Sequence, residues 1–318
     1  MTLHAFAPGK TNLCLFLGET RLDGLHELMS VIEPLSLADE LTLEPLPGGS
    51  PVAAAVGTGD MGCAAGEDEV VCADVEGPNL AGEALAAFRA ASGWEGSPLR
   101  LTIVKRVPVA AGMGGGSGDA AAALRLVARA AGRSTDDPLL LRLAPQLGAD
   151  VPSQIAPGPV LVGGAGEEVR PLPPLPPHGV LVLPSSHQLS TPDVFREADR
   201  LGLARSAAGL VEQRAAVEAA LSRGELPRPV NDLEPAARSL CPSIGMALAA
   251  AREAGADHAL VSGSGPTVVG LFLGSGGPVA AEAAAAALRP RFPGATGSHP
   301  VDAAFAAVRG VWNHDARS

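Results

Sequence analysis

The stretch VPVAAGMGGGSGDAAAALRLVARAAG, Val107 to Gly132, decides how this 318-residue chain is read. Four of the five residues from Gly112 to Gly116 are glycine, and an alanine-rich helix pattern follows at once. Glycine accepts positive φ and carries no Cβ, so a ligand can come against the backbone. The preceding LRLTIVKRVP, Leu99 to Pro108, alternates and reads as a strand. Strand, glycine loop and helix in succession leave unpaired N–H groups at the positive end of a helix dipole, which is a cradle for phosphate. A tight turn alone would use one or two glycines; four, with Ser117 and Gly118 added, exceed that need.

Two familiar phosphate motifs do not fit. A P-loop requires GxxxxGK[ST], and no lysine follows these glycines. The dinucleotide fingerprint GxGxxG fails because Ser117 stands at its last position, and the region where a ribose-binding acid is due is the alanine-rich helix. A dinucleotide oxidoreductase is therefore disfavoured.

The whole chain sets wider limits. Its net charge of −11 lacks the basic field of a general nucleic-acid binder. With 47% hydrophobic residues it has ample core material, and its length allows two domains. Cys14, Cys63, Cys72 and Cys241 show no CxxC spacing or histidine cluster, so reduced thiols are expected. No signal peptide and no apolar run of about 18 residues is present, so a cytoplasmic protein without membrane contact is expected.

Strands and helices are mixed without regular alternation, which predicts an α+β fold. HAFAPGKTNLCLFLG reads as two strand segments broken at Pro8-Gly9, and Asp39 to Leu46 as a strand. Residues 47–68 read as a loop or irregular hairpin, and Pro78 to Gly93 as a helix ended by glycine. The composition changes near residue 157, which places domains at 1–157 and 158–318. The Pro-rich patch Val169 to Gly179 then reads as a surface connection inside the second domain.

A third phosphate pattern does fit. PVAAGMGGGSGDAAA, Pro108 to Ala122, resembles the ATP-binding motif of the GHMP kinases, P-x-x-x-G-L-x-S-S-x-A in outline, with Met113 in the leucine place. Three further stretches agree in order: APGKTNLCLFLGETRLDGLHELMSV (Ala7 to Val31), LGADVP (Leu147 to Pro152) and ALVSGSGPTVVGLF (Ala259 to Phe272). NDLEP (Asn231 to Pro235) and LSTPDVF (Leu189 to Phe195) extend the match. Each piece alone is weak: Asp150 by itself would pass for a turn or cap residue, and the Gly-Ser run for a hairpin turn.

The resemblance implies a two-domain GHMP kinase fold, with an N-terminal domain like domain 2 of ribosomal protein S5 and a ferredoxin-like C-terminal domain. It implies ATP and Mg²⁺ as cofactors and phosphoryl transfer to an alcohol. The segment R-x-D-G-x-H-E-L (Arg21 to Leu28) is similar to that of the branch acting on a cytidyl-linked methylerythritol in the non-mevalonate isoprenoid pathway. Lys10 and Asp150 would be catalytic, Asp150 accepting the hydroxyl proton beside Lys10. Asn79, Pro108, Gly112, Met113, Gly114, Gly115, Gly116, Ser117 and Gly118 would bind ATP, with Ser117 near Mg²⁺. Asn12, Leu25, His26, Thr191, Phe195, Gly263, Ser264 and Gly265 would join Asp150 in holding the substrate. The expected partner is this small molecule, and the expected state a monomer or weak homodimer.

Two residues depart from the family pattern. Leu25 stands where tyrosine would stack on cytosine, and Gly118 where serine is usual. Leu25 keeps open a kinase for another small alcohol, such as homoserine or mevalonate. A catalytically silent nucleotide-binding module is the remaining alternative; Lys10 and Asp150 argue against it.

Overall fold

The structure, a computed structural model, describes residues 2–46, 68–73, 77 and 79–312. β1 (Thr2–Thr20) and β2 (His26–Pro45) form a long antiparallel pair. β1 is not broken at Pro8-Gly9 as the sequence suggested. Proline has no N–H for the ladder and is tolerated inside a strand at a bulge. The register shifts between Pro8 and Lys10, and again between Asn12 and Cys14. Bulges bend a strand and re-aim its side chains, and the residues between these two are Lys10, Thr11 and Asn12. The strand expected at Asp39 to Leu46 is the alternating end of β2. From Met29 to Leu35 β2 is buried on both faces and so carries no period of two.

β3 (Glu69–Cys72), α1 (Leu80–Ser92) and β4 (Leu99–Val104) follow. Asn79 caps α1 by accepting from the Ala81 N–H at 2.9 Å, and Gly93 ends it at φ 65°. The loop expected at 47–68 lies, but for its last residue, outside the described residues. Next come α2 (Gly115–Ala130), α3 (Pro138–Leu147), α4 (Val151–Ile155) and the hairpin β5 (Val160–Gly163) and β6 (Glu168–Pro171). Ala120 to Ala123 are fully buried, and their small side chains let α2 pack closely between α1 and β1.

The second half contains β7 (His178–Leu183), α5 (Thr191–Arg200), α6 (Ala207–Ser222), β8 (Val230–Asn231), α7 (Glu234–Leu240), α8 (Ile244–Glu253), β9 (His258–Val261), β10 (Val268–Leu273), α9 (Gly277–Leu288), β11 (Thr296–Ser298) and β12 (Arg309–Val311). The first sheet runs β12-β1-β2-β4-β3, with β5 and β6 continuing from β2 and β8 lying on β1; the second runs β11-β7-β10-β9. Because β5 pairs with β2, the chain does not leave the first sheet at residue 157. It changes sheet in the Pro-rich stretch after β6, which therefore joins the two sheets and is not a connection inside the second unit.

Leu13, Phe16 and Met29 of the first sheet share a core with Val180, Leu260 and Val269 of the second. The two sheets are thus one packed body where they meet. His178 at the start of β7 and Glu33 of β2, both buried, face each other across this junction, with Nε2 2.9 Å from Oε2. Among the described residues no helix is long and apolar enough to cross a membrane.

Candidate active site

A cavity of about 1010 Å³ opens between the sheets. Its floor is the glycine loop. Gly112 and Gly114 adopt φ of 74° and 66°, which L side chains avoid. A Cβ on Gly112 would lie 2.2 Å from Ser262 O, and one on Gly114 2.9 Å from Lys10 Cγ. These glycines therefore let the loop, Lys10 and the Gly-Ser turn after β9 touch. The first ladder bond of α2 runs from the Gly118 N–H to Gly114 O at 2.8 Å. The amides of Gly115, Gly116 and Ser117 come before it and have no carbonyl within their own helix. All three residues line the cavity, as do Pro108 and the α1 start at Asn79. Two helix N-termini thus bring positive partial charge to one end of the space.

Met113 and Gly118, expected among the nucleotide contacts, do not line the cavity. Met113 is 1% exposed, its side chain anchored in the core shared by the sheets, while its carbonyl accepts the Lys10 N–H at 2.8 Å. A Cβ on Gly118 would stand 3.1 Å from Pro8 O, so this glycine lets α2 press on β1. Its own N–H is already used within the helix.

Lys10 Nζ lies 3.5 Å from Asp150 Oδ2 and donates to Asn12 Oδ1 at 3.0 Å. Asn12 in turn donates to Ser30 Oγ, and Ser30 to Cys14 O, both at 2.7 Å. This chain fixes which way the Asn12 amide points. Asp150 sits at the start of α4 but its side chain makes no capping bond there, so the turn-residue reading does not account for it. Its carboxylate is 38% exposed to the cavity beside a nearly buried lysine. Arg125, buried in α2, donates to Gln154 O at 2.7 Å and Phe6 O at 3.0 Å and ties α4 to β1. Burial lowers its pKa to about 10.

The Gly-Ser turn enters from the second sheet. A Cβ on Gly263 would be 3.4 Å from Lys10 Nζ and 3.5 Å from Asn12 Oδ1. Asn231 of NDLEP holds the turn by donating to Val261 O and Gly263 O, both at 2.7 Å. Ser264 Oγ is 2.9 Å from Thr191 Oγ1 at the start of α5, and Gly265 completes this wall. Leu25, half exposed on the turn after β1, lines the far end with His26 and Phe195. The His26 and Phe195 rings are 5.3 Å apart.

Sequence reasoning passed over a buried charge cluster under the glycine loop. Lys105 Nζ meets Asp39 Oδ2 at 2.5 Å and Asp119 Oδ2 at 2.7 Å. Asp39 Oδ1 also accepts the N–H groups of Arg106 and Val107, which fixes the entry to the loop. Burial pushes the Asp119 carboxyl up to about 7; Lys105 opposes the rise and Asp39 adds to it. The available signal was an acid inside an alanine run, on the face that α2 buries. Ala110 was also missed; it holds a positive φ of 52° without being glycine.

Comparison with known proteins gives the same frame. Residues 79–159 match the model described as GHMP kinases N terminal domain, and residues 207–294 that described as GHMP kinases C terminal. The chain is 37% identical over 300 residues to the 4-diphosphocytidyl-2-C-methyl-D-erythritol kinase of Anaeromyxobacter dehalogenans, covering 92% of this chain and 87% of that one. A crystal structure of 4-(cytidine 5'-diphospho)-2C-methyl-D-erythritol kinase superposes with a TM-score of 0.71 at 32% identity, covering 94% of this chain and 99% of that one. A homoserine kinase from Cytophaga hutchinsonii shares the fold alone, with a TM-score of 0.65 at 17% identity over 97% of both chains. The α+β architecture is thus the two-domain GHMP kinase fold, and the chain belongs to the 4-diphosphocytidyl-2-C-methyl-D-erythritol kinase family of GHMP kinases.

Proposed function

We propose that the protein transfers the terminal phosphoryl group of ATP to the 2-hydroxyl of 4-diphosphocytidyl-2-C-methyl-D-erythritol, a step of the non-mevalonate isoprenoid pathway. The observation that carries this reading is the Lys10–Asp150 pair, 3.5 Å apart on the cavity wall. It lies against the glycine loop on one side. On the other side His26 precedes Ser30, the partner of Asn12, by four residues of β2. That is a separation of about 13 Å along a strand. A long substrate with a base at one end and an alcohol at the other suits that separation. The cavity volume, at the upper end of the range for one small-molecule site, suits two ligands.

Phosphoryl transfer needs positioned reactants, neutralised charge and a route for the hydroxyl proton. Asp150 accepts that proton. Lys10 steadies Asp150 and balances charge on the attacking oxygen, while Asn12, held by Ser30, orients the alcohol. The amides of Gly115, Gly116 and Ser117 cradle the phosphates of ATP. Among the described residues no cluster of three metal-binding side chains exists. Mg²⁺ commonly rides on substrate phosphates with few protein ligands, and the Ser117 hydroxyl, which lines the cavity at the glycine loop, fits that limited role. When bound, Mg²⁺ would neutralise phosphate charge. Gly263, Ser264 and Thr191 shape the substrate side, and Leu25, His26 and Phe195 surround the base. A cytoplasmic monomer or weak homodimer acting on this small molecule completes the proposal.

The test is ADP release with ATP, Mg²⁺ and the cytidyl substrate, beside homoserine and mevalonate, for the wild type and Asp150→Asn. Turnover with the cytidyl substrate alone, lost in the variant, is expected. Turnover with another alcohol would transfer the assignment to that substrate, and ATP binding without any turnover would favour a silent binder.

A further inference from the structure

Helix α5 carries more than Phe195 to the far end of the cavity. Asp199 follows Phe195 by four residues, so both lie on one helix face, one turn apart. Both line the cavity with His26 and Leu25. His26 is 8% exposed, and its Nδ1 is pinned to Gly18 O at 3.1 Å. Its Nε2 lies 3.2 Å from Asp199 Oδ1 and 3.4 Å from Oδ2. The carboxylate therefore borders the His26 ring on one side and is half exposed to the cavity on the other.

An ionised carboxylate only accepts hydrogen bonds. Of the pyrimidine bases, cytosine offers an exocyclic amino donor at C4, whereas uracil offers a carbonyl oxygen at the same place. A base seated between Leu25 and Phe195, its edge toward His26, would bring that group toward Asp199, which lines the same end of the cavity. We infer that Asp199 is a specificity-determining residue that accepts a hydrogen bond from the cytosine amino group and rejects uracil. Its carboxylate satisfies the amine and faces the uracil carbonyl lone pair to lone pair. The inference rests on the proposed cytidyl substrate and assigns the residue that reads its base. Leu25 adds to its weight, because an apolar face cannot tell cytosine from uracil.

Sites that pair with a substrate N–H reject analogues lacking it far more strongly than sites that only match shape. A hydrogen bond to a charged group corresponds to about a 10- to 100-fold preference. The experiment compares kcat/KM for the cytidyl substrate and its uridyl analogue in the wild type, Asp199→Asn and Asp199→Ala. An asparagine amide can donate to the uracil oxygen. Asp199→Asn is therefore expected to bring the cytidyl-to-uridyl ratio below about tenfold by raising uridyl turnover. Asp199→Ala is expected to lower the ratio without that gain. A ratio unchanged in both variants would overturn the inference and leave Asp199 as a support for His26. A second readout needs no variant: CMP should compete with the cytidyl substrate more strongly than UMP, and equal competition would also overturn the inference. Wild-type enzyme that binds ATP but turns over neither cytidyl nor uridyl substrate would instead overturn the proposed function, and this inference with it.

Discussion

Lys10 and Asp150 are brought to 3.5 Å by two separate devices. A bulged strand aims the lysine, and a short helix tied down by Arg125 presents the aspartate. If Lys10 balances charge that develops on the reacting oxygens, Lys10→Met should lower kcat by about 10²- to 10³-fold. The KM for ATP should change little, because the phosphate amides remain. Steady-state kinetics beside a thermal melt checks this; a change confined to KM would contradict the role.

Gly112 is expected to tolerate no side chain. Gly112→Ala would place a Cβ 2.2 Å from Ser262 O at a positive φ. A loss of about 2–3 kcal/mol and a weakened ATP site are expected. Gly274 gives the control: its φ is also positive, at 84°, but nothing lies within 4 Å of its Cβ position. Gly274→Ala should cost only about 1 kcal/mol, the backbone part alone. Urea unfolding of the two variants separates contact from conformation.

Ala110 holds φ at 52° in the loop that leads to the glycines. Ala110→Gly relieves this conformation, against the extra freedom glycine gains when unfolded. A net gain of up to about 1 kcal/mol is expected in denaturant titration. A clear loss would mean that the Ala110 methyl is needed in the cavity wall.

Leu25 offers the base an apolar contact but no π-face. Leu25→Tyr should tighten binding of the cytidyl substrate by roughly 1–3 kcal/mol, or about 5- to 150-fold. Leu25 is half exposed at the cavity edge, so the larger ring has room. Isothermal titration with the cytidyl ligand reads the change, and no gain would place the base elsewhere.

Asp119 gives stability a pH dependence of defined sign. Its folded pKa is raised from 3.8 to about 7, first by burial. The folded state therefore holds this proton more tightly than the unfolded chain does. The contribution is complete below about pH 4 and is lost as pH rises through about 7. Asp119→Asn should flatten the fall in stability between pH 5 and 8, as read by urea titration across that range. An unchanged slope would assign the dependence to other groups, among them His178, whose raised pKa acts in the same direction.

Local signals had already disclosed the phosphate end of the site. A glycine run between an alternating strand and an alanine helix has few other uses, because backbone freedom and helix-end amides are properties of neighbouring residues. The C-terminal end of α1 was equally legible, since Gly93 is a local cap, whereas the sequence pattern placed its start at Pro78, ahead of the Asn79 that caps it. Lys10 and Asp150 were legible only through the family pattern, because nothing near either residue in the chain distinguishes it from a surface cation or a turn.

The tertiary structure decided what local pattern could not. Pro8-Gly9 became a bulge within one strand because β2 supplies a partner on both sides of it. The β5–β6 hairpin joined the first sheet because β2 offered it an edge, so the sheets divide later in the chain than composition suggested. Met113 turned inward as the anchor of the loop because the two sheets share a core there, and Gly118 became a packing contact because α2 presses on β1. The Lys105, Asp39 and Asp119 cluster and the Asp199 carboxylate beside His26 join side chains from separate elements. The sequence determined which segments could cradle phosphate or cap a helix, since those depend on local backbone chemistry. Which charges face one another across the cavity depends on how distant segments pack, and only the folded chain determines that.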